Sequence, residues 1–152
     1  MRYFAHHDGA GWSLRPFEER DFRQVHAIFR TCFAAFPWRG RYRLSNSSDL
    51  GRAIGAHTTW VAEEPYAGIV GFMIFEPRTG YVSHVFIDQD WRLCGISTAF
   101  LKAARQKVGH ALSLDVDERN RTARRAYAAL GWKVAAKTPH PRNSDQIRLI
   151  GP

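Results

Sequence analysis

The sequence predicts one α+β domain, a mixed layer arrangement of helices around a single sheet. Three observations predict it. Apolar runs suited to strands are interleaved with segments whose apolar residues recur at helical spacing. The runs 58–64 and 68–76 are joined by a short turn and read as an antiparallel hairpin. The passage 81–117 reads strand, turn, helix, strand, which is a βαβ unit and requires a parallel pair.

The elements follow in order. "WSLRPF" (12–17) is a short strand. In "EERDFRQVHAIFRTCF", Phe22, Val25, His26, Phe29 and Phe33 fall at helical spacing and define an amphipathic helix, with His26 a structural residue on its apolar face. Pro37 and Gly40 break the pattern in "PWRGRYRLSNSS", and Ser47 or Ser48 is placed to cap a short helix through "DLGRAIGA". "TTWVAEE" (58–64), "GIVGFMIFE" (68–76) and "YVSHVFID" (81–88) are strands, divided by the turns "PYAG" and "PRTG". The third is apolar on both faces and therefore central. From Gly95 onward, Ile96, Ala99, Phe100, Ala103, Ala104 and Val108 form one stripe, with Lys102, Arg105 and Lys107 outside it. "ALSLDVD" (111–117) is a strand. "ERNRTARRAYAALGW" is a helix with Ala123, Ala126, Tyr127 and Leu130 on its apolar side, and Gly131 is suited to end it. "WKVAAK" (132–137) and "DQIRLI" (145–150) are closing strands. No repeat or linker divides the chain, so residues 1–152 are expected to form one domain.

Composition narrows the function. With 22 Lys and Arg against 14 Asp and Glu, the charge is +8 and the surface basic. Such a surface suits anionic partners such as nucleic acid, acidic lipid or a phosphorylated cofactor, or serves solubility alone. Cys32 and Cys94 are the two cysteines and form no C-x-x-C pair, so no zinc ribbon, redox motif or other metal site is expected. The start "MRYFAHHDGAGW" lacks the apolar core of a signal peptide, and no apolar run is long enough to span a membrane. The expectation is a cytoplasmic protein with free thiols and no membrane partner.

"QDWRLCGISTAFLKAARQKVG" (89–109) carries the first functional signal. A strand that feeds a tight turn into a helix brings unpaired backbone N–H groups together at the positive end of the helix dipole, where phosphate binds. Gly95 permits close approach, Ser97 adds a hydroxyl and Arg92 a fixed charge. The same pattern also describes a plain glycine hinge before a surface helix. Downstream, Asn120 and Tyr127 lie two turns apart on one helix face, with Ala123 and Arg124 between them. They line a cleft, or else cap the helix and fill the core.

The motifs together resemble the Gcn5-related N-acetyltransferase (GNAT) superfamily. "SHVFIDQDWRLCGISTAFL" is similar to that family's strand followed by the loop Q/R-x-x-G-x-G/A, with Val85, Ile87, Trp91, Arg92 and Gly95 in register. Gln89 stands where proline is common, and Ser97 where the last Gly or Ala is expected. Asn120, Ala123, Tyr127, Gly131 and Trp132 match N-x-x-A-x-x-x-Y-x-x-x-G-F/W. The start "LRPFEERDFRQVHAIF" resembles the family's first strand and helix. The resemblance implies a mixed, mostly antiparallel central sheet of about seven strands, helices on both faces and splayed strands at the cofactor site.

The implied activity is transfer of an acetyl group from acetyl-CoA to a primary amine of a small-molecule or protein acceptor, by direct attack. The resemblance places the pantetheine arm along the Phe86–Ile87 backbone and the pyrophosphate on Arg92, Leu93, Cys94, Gly95, Ile96, Ser97 and Thr98. Asn120, Ala123 and Arg124 complete the cofactor set, and Arg121 and Arg125 serve as further phosphate partners or as a solvated face. Tyr127 occupies the place of the acid that assists the departing thiolate. His84, whose titration range suits a base, and Glu76 are the candidates to take the amine proton. The acceptor wall is assigned to Phe29, Trp38 and Tyr42, amid Phe36, Arg39, Arg41 and Arg43. The last strands offer a route to a homodimer. Two other readings stand beside this one: a CoA-binding regulatory domain, motivated by Ser97, and a basic nucleic-acid-binding protein. The second lacks RNP-type aromatics or a paired-cysteine finger.

Overall fold

The computed structural model describes residues 3–35, 43–139 and 145–152. In chain order the elements are β1 (Ala5–His6), β2 (Ser13–Pro16), α1 (Phe22–Ala34), α2 (Arg43–Ala56), β3 (Thr58–Glu64), β4 (Gly68–Glu76), β5 (Tyr81–Ile87), α3 (Ile96–Val108), β6 (Ser113–Asp117), α4 (Arg121–Ala129), β7 (Lys133–Thr138) and β8 (Gln146–Ile150). The strands make one 8-stranded sheet in the order β1-β2-β3-β4-β5-β6-β8-β7. All neighbours are antiparallel except β5 and β6, the parallel pair of the βαβ unit. The architecture is the mixed, mostly antiparallel α+β arrangement expected, with β5 central. β1 is the one strand the sequence does not announce, because two residues from the polar "FAHHDG" run show no period. α2 starts at Arg43, so Ser47 and Ser48 lie within it and are not its cap. The cost of a serine inside a helix is a fraction of a kcal/mol, about 0.5, and does not stop propagation.

Two cores lie on the two faces of the sheet. Val25, Phe29, Phe33 and Leu50 of α1 and α2 pack on Val61, Phe72 and Ile74. Phe100, Leu101 and Ala104 of α3 pack on Trp60, Met73, Phe75 and Val82, and the layer continues to Ala123 and Tyr127 of α4. Each fully buried large side chain contributes about 1.5–3 kcal/mol through the water it leaves. A buried ionic cluster ties β2 to the start of α1. The Arg15 guanidinium donates to both Asp21 oxygens at 2.7 and 2.8 Å and to Glu63 at 2.9 Å, and the Tyr3 hydroxyl donates to Glu63 at 2.7 Å. Among the described residues, no helix is long and apolar enough to cross a membrane.

Two register shifts shape the centre of the sheet. Against β3, the pairing jumps from Gly71↔Ala62 to Ile69↔Glu63, leaving Val70 as an extra residue. Against β4, it jumps from His84↔Ile74 to Val82↔Phe75, leaving Ser83 extra. A bulge bends its strand and inverts the alternation of faces. Val82 therefore joins the α3 core, while His84 and Phe86 turn their rings to Phe29 and Phe72 on the α1 side.

Candidate active site

The bulge at Ser83 also sets where β5 leaves its parallel neighbour. β5 pairs with β6 only at Tyr81↔Ser113 and Val82↔Leu114, after which the strands diverge. At this closed end Tyr81 donates its hydroxyl to Asp115 Oδ2 at 2.9 Å, and Arg148 of β8 holds Asp115 through bonds of 2.7 and 3.0 Å. Burial and the Asp115 hydrogen bond push the Tyr81 phenol up to about 12. Burial works against the Asp115 carboxylate, but the hydrogen bonds from Arg148 and Tyr81 outweigh it and hold its pKa below the ordinary value.

Beyond this clasp lies a cleft of about 150 Å³ lined by His84, Val85, Phe86, Val116, Asp117, Asn120, Ala123 and Tyr127, among others. Its β5 wall is an unpaired strand edge. The Asp88 N–H donates to the Val70 carbonyl, so by antiparallel alternation Phe86 and His84 turn their main-chain groups toward β4. Val85 and Ile87 turn theirs toward the open side. The expected edge at Phe86–Ile87 is thus carried by Val85 and Ile87, while Phe86 lines the cleft with its own atoms. On the α1 side, the Cys32 thiol donates to the Ile87 carbonyl at 3.3 Å. Burial raises its pKa, and the nearby Arg92 guanidinium offsets part of that rise.

The same end of β5 leads through Asp88 and a 3-10 turn at Gln89–Trp91 into α3. Leu93 (φ 63°) and Gly95 (φ 80°) are both left-handed, a sharp turn that leaves Leu93 fully exposed. A side chain is strained at Gly95 by conformation, yet the space around it is open. Among the described residues, the N–H groups of 93–98 donate to no backbone carbonyl. They are N–H groups without backbone acceptors at a helix N-terminus, suited to a polyanion. Ser97 is half-buried in the first turn of α3. Among the described residues no group of three or more His, Cys, Asp or Glu is placed to hold a metal ion.

α4 supplies the remaining wall. Asn120 caps it, its side-chain oxygen accepting the Ala123 N–H at 3.2 Å. Tyr127 is half-buried with its ring edge-to-face on Trp132, 5.3 Å between centroids. Among the described residues its hydroxyl has no hydrogen-bond partner, and desolvation pushes its pKa up to about 12. His84 Nδ1 lies 2.8 Å from Ser83 Oγ, whose hydroxyl is also placed 3.3 Å from the Ile74 carbonyl. If the single hydroxyl proton goes to Ile74, Nδ1 carries the imidazole hydrogen and Nε2 the lone pair.

The cleft thus gathers His84, Phe86, Asn120, Ala123 and Tyr127, with Phe29 buried against the His84 and Phe86 rings behind it. Glu76 is not brought there. It ends β4 opposite Tyr81, at the closed end, where it accepts the Thr79 hydroxyl at 3.0 Å and pairs with Arg78 at 3.4 Å. Arg124 is turned away as well: its guanidinium donates to the Glu118 carbonyl at 3.2 Å and faces a separate hollow with Arg121, Arg125 and Trp132. Trp38 and Tyr42 lie outside the described residues, with Phe36, Arg39 and Arg41. The sequence assigns no role to Ser83 or Asp115, and marks Val85 only as a match to the strand of the family motif. A bulge in a strand of continuous apolar character leaves no periodic signal, although a lone serine there is a weak one.

Comparison with known proteins gives the family. The family described as "Acetyltransferase (GNAT) domain" matches residues 42–150. No curated protein sequence matches the chain. Solved structures share the fold. The apo form of YjaB from Escherichia coli has a TM-score of 0.78 at 22% identity, over 92% of this chain and 97% of that one. A mutant of the spermidine N-acetyltransferase SpeG from Vibrio cholerae has 0.67 at 16%, over 93% of each chain. YncA from Salmonella typhimurium, solved with its cofactor acetyl-CoA, has 0.66 at 16%, over 92% of each chain. The splayed parallel pair, the left-handed loop before α3 and the match over residues 42–150 agree, and the chain belongs to the GNAT acetyltransferase domain family.

Proposed function

We propose that the protein transfers the acetyl group of acetyl-CoA to a primary amine by direct attack. The observation that carries this reading is the unpaired Val85–Ile87 edge, which runs toward the 93–98 amides that no backbone carbonyl accepts, at the same end of β5. A strand edge accepts an extended amide-bearing arm, and the helix N-terminus accepts a pyrophosphate. The residues present fit acetyl-CoA, which supplies an acetyl group activated as a thioester.

The side chains divide the remaining work. Val85 and Ile87 would hold the arm in register, and Gly95 and Ser97 with their neighbours would hold the phosphates. An alkylammonium has a pKa of about 10.4, so a group in the cleft must take its proton before attack. His84 is the candidate for this role, lining the cleft with its ring among Phe29, Phe72 and Phe86. Tyr127 would present its hydroxyl to the sulfur. A phenol at about 12 keeps its proton through the neutral range. Full transfer to a thiolate whose acid has a pKa near 8.5 would be uphill by roughly 3.5 units, about 5 kcal/mol. Tyr127 therefore acts by donating a hydrogen bond to developing negative charge, and solvent or the amine completes the protonation.

The test has two stages. Acetyl-CoA and CoA at saturating concentration should raise the melting temperature, and thiol release should then be followed across a panel of amines. Absence of any shift removes the reading; binding without release for any amine reduces it to a CoA-binding regulator.

A further inference from the structure

Trp12 lies in the turn that leads into β2, 82 residues away from the loop before α3, yet its indole Nε1 donates to the Cys94 carbonyl at 2.9 Å. Its side chain is 3% exposed and belongs to the core beneath α3. A trans peptide points its C=O and N–H in opposite directions within one plane. With the Cys94 oxygen drawn toward Trp12, the Gly95 N–H of the same plane points away from it, and Gly95 is exposed. Gly95, left-handed at φ 80°, bounds this plane on one side and carries no side chain.

We infer that Trp12 is a positioning residue for cofactor binding: its hydrogen bond to the Cys94 carbonyl fixes the 94–95 peptide so that the Gly95 N–H faces the pyrophosphate. The inference rests on the acetyl-CoA reading above. Without the indole donor, the plane is free to turn over, and a carbonyl oxygen would then face the phosphates and repel them. Tryptophan suits the position because it brings one N–H on a large apolar body, whereas a charged donor of that reach would have to be desolvated in the core.

The test compares two ligands with one arm. CoA carries the pyrophosphate and pantetheine does not. Binding of each is measured by calorimetry for the wild-type protein, for Trp12→Phe, and for a protein with 3-benzothienylalanine at position 12. The last keeps the shape of the indole and replaces its N–H by sulfur, so it carries the test if the phenylalanine variant fails to fold. The expected result is a Kd for CoA raised about tenfold, about 1.4 kcal/mol, with pantetheine binding unchanged. A merely structural role would weaken both ligands alike, and that result overturns the inference, as does full CoA affinity in the benzothienyl protein. Wild-type protein that binds neither ligand removes the acetyl-CoA reading itself.

Discussion

The Tyr81 hydroxyl donates to Asp115 Oδ2 at 2.9 Å, across the only stretch where β5 and β6 are paired. Arg148 clamps the same carboxylate and lies over the Tyr81 ring at 5.1 Å. A hydrogen bond to a charged group contributes about 1.5–3 kcal/mol. Tyr81→Phe should therefore lower the melting temperature by roughly 3–12 °C, at about 2–4 °C per kcal/mol for a chain of this size. Differential scanning calorimetry decides it, and an unchanged melting temperature would mean the clasp bears no load.

The Arg15 cluster sets an acid limit. The Arg15 hydrogen bond holds Glu63 below 4.5, and at Asp21 the bonds from Arg15 and the Glu18 N–H overcome burial to hold it below 3.8. Both folded values are depressed, so the stabilisation is complete above the unfolded values and is lost as pH falls through the folded ones. Denaturation followed from pH 6 to pH 2 should show stability falling steeply below about 4. Asp21→Asn leaves Arg15 partly unpaired and should cost about 3–5 kcal/mol at pH 7. It should also flatten the acid slope. A slope identical to wild type would assign the acid transition to other carboxylates.

Tyr127→Phe separates turnover from binding. Loss of a donor aimed at developing charge should lower kcat about 10²–10³-fold, while CoA affinity stays within about twofold. Because the phenol holds its proton up to about pH 12, no alkaline limb of the rate profile below pH 10 should vanish in the variant. Steady-state kinetics with the best amine of the panel gives both readings, and an unchanged kcat would take Tyr127 out of the reaction.

Gly95 and Ser97 test the loop. Gly95→Ala must place a Cβ at φ 80°, which costs about 1–2 kcal/mol, so the left-handed turn and with it CoA affinity should weaken about tenfold. Ser97→Gly should alter CoA affinity by less than about threefold, since the backbone N–H groups hold most of the charge. A large gain from Ser97→Gly would instead show that the serine crowds the phosphates. Isothermal titration of both variants distinguishes these outcomes.

Periodicity made the helices and strands legible, because α3 and β4 obey simple apolar patterns over their whole length. Motif spacing made the loop at 92–98 and the Asn120–Tyr127 face legible. What stayed hidden depends on register. Ser83 and Val70 are extra residues in otherwise continuous apolar strands; Val70 looks like its paired neighbours, and the polarity of Ser83 is only a weak sign. That is why the free edge is carried by Val85 and Ile87 where Phe86–Ile87 was expected. Trp12 was illegible for another reason: its partner is a backbone carbonyl far away in sequence, and no residue pattern encodes that.

The divergence of β5 from β6 has a mechanical consequence. Two residue pairs are all the strand pairing between β5 and β6, so as a backbone ladder the sheet divides there into two plates, β6-β8-β7 and the five strands before it, held together otherwise by the Tyr81–Asp115 bond and the core under α3. Amide exchange in the smaller plate should run ahead of that in β3 and β4. An extended ligand lying along Val85–Ile87 would stitch the plates together, and the slowing of exchange would be felt as far as β7, well beyond any atom the ligand touches.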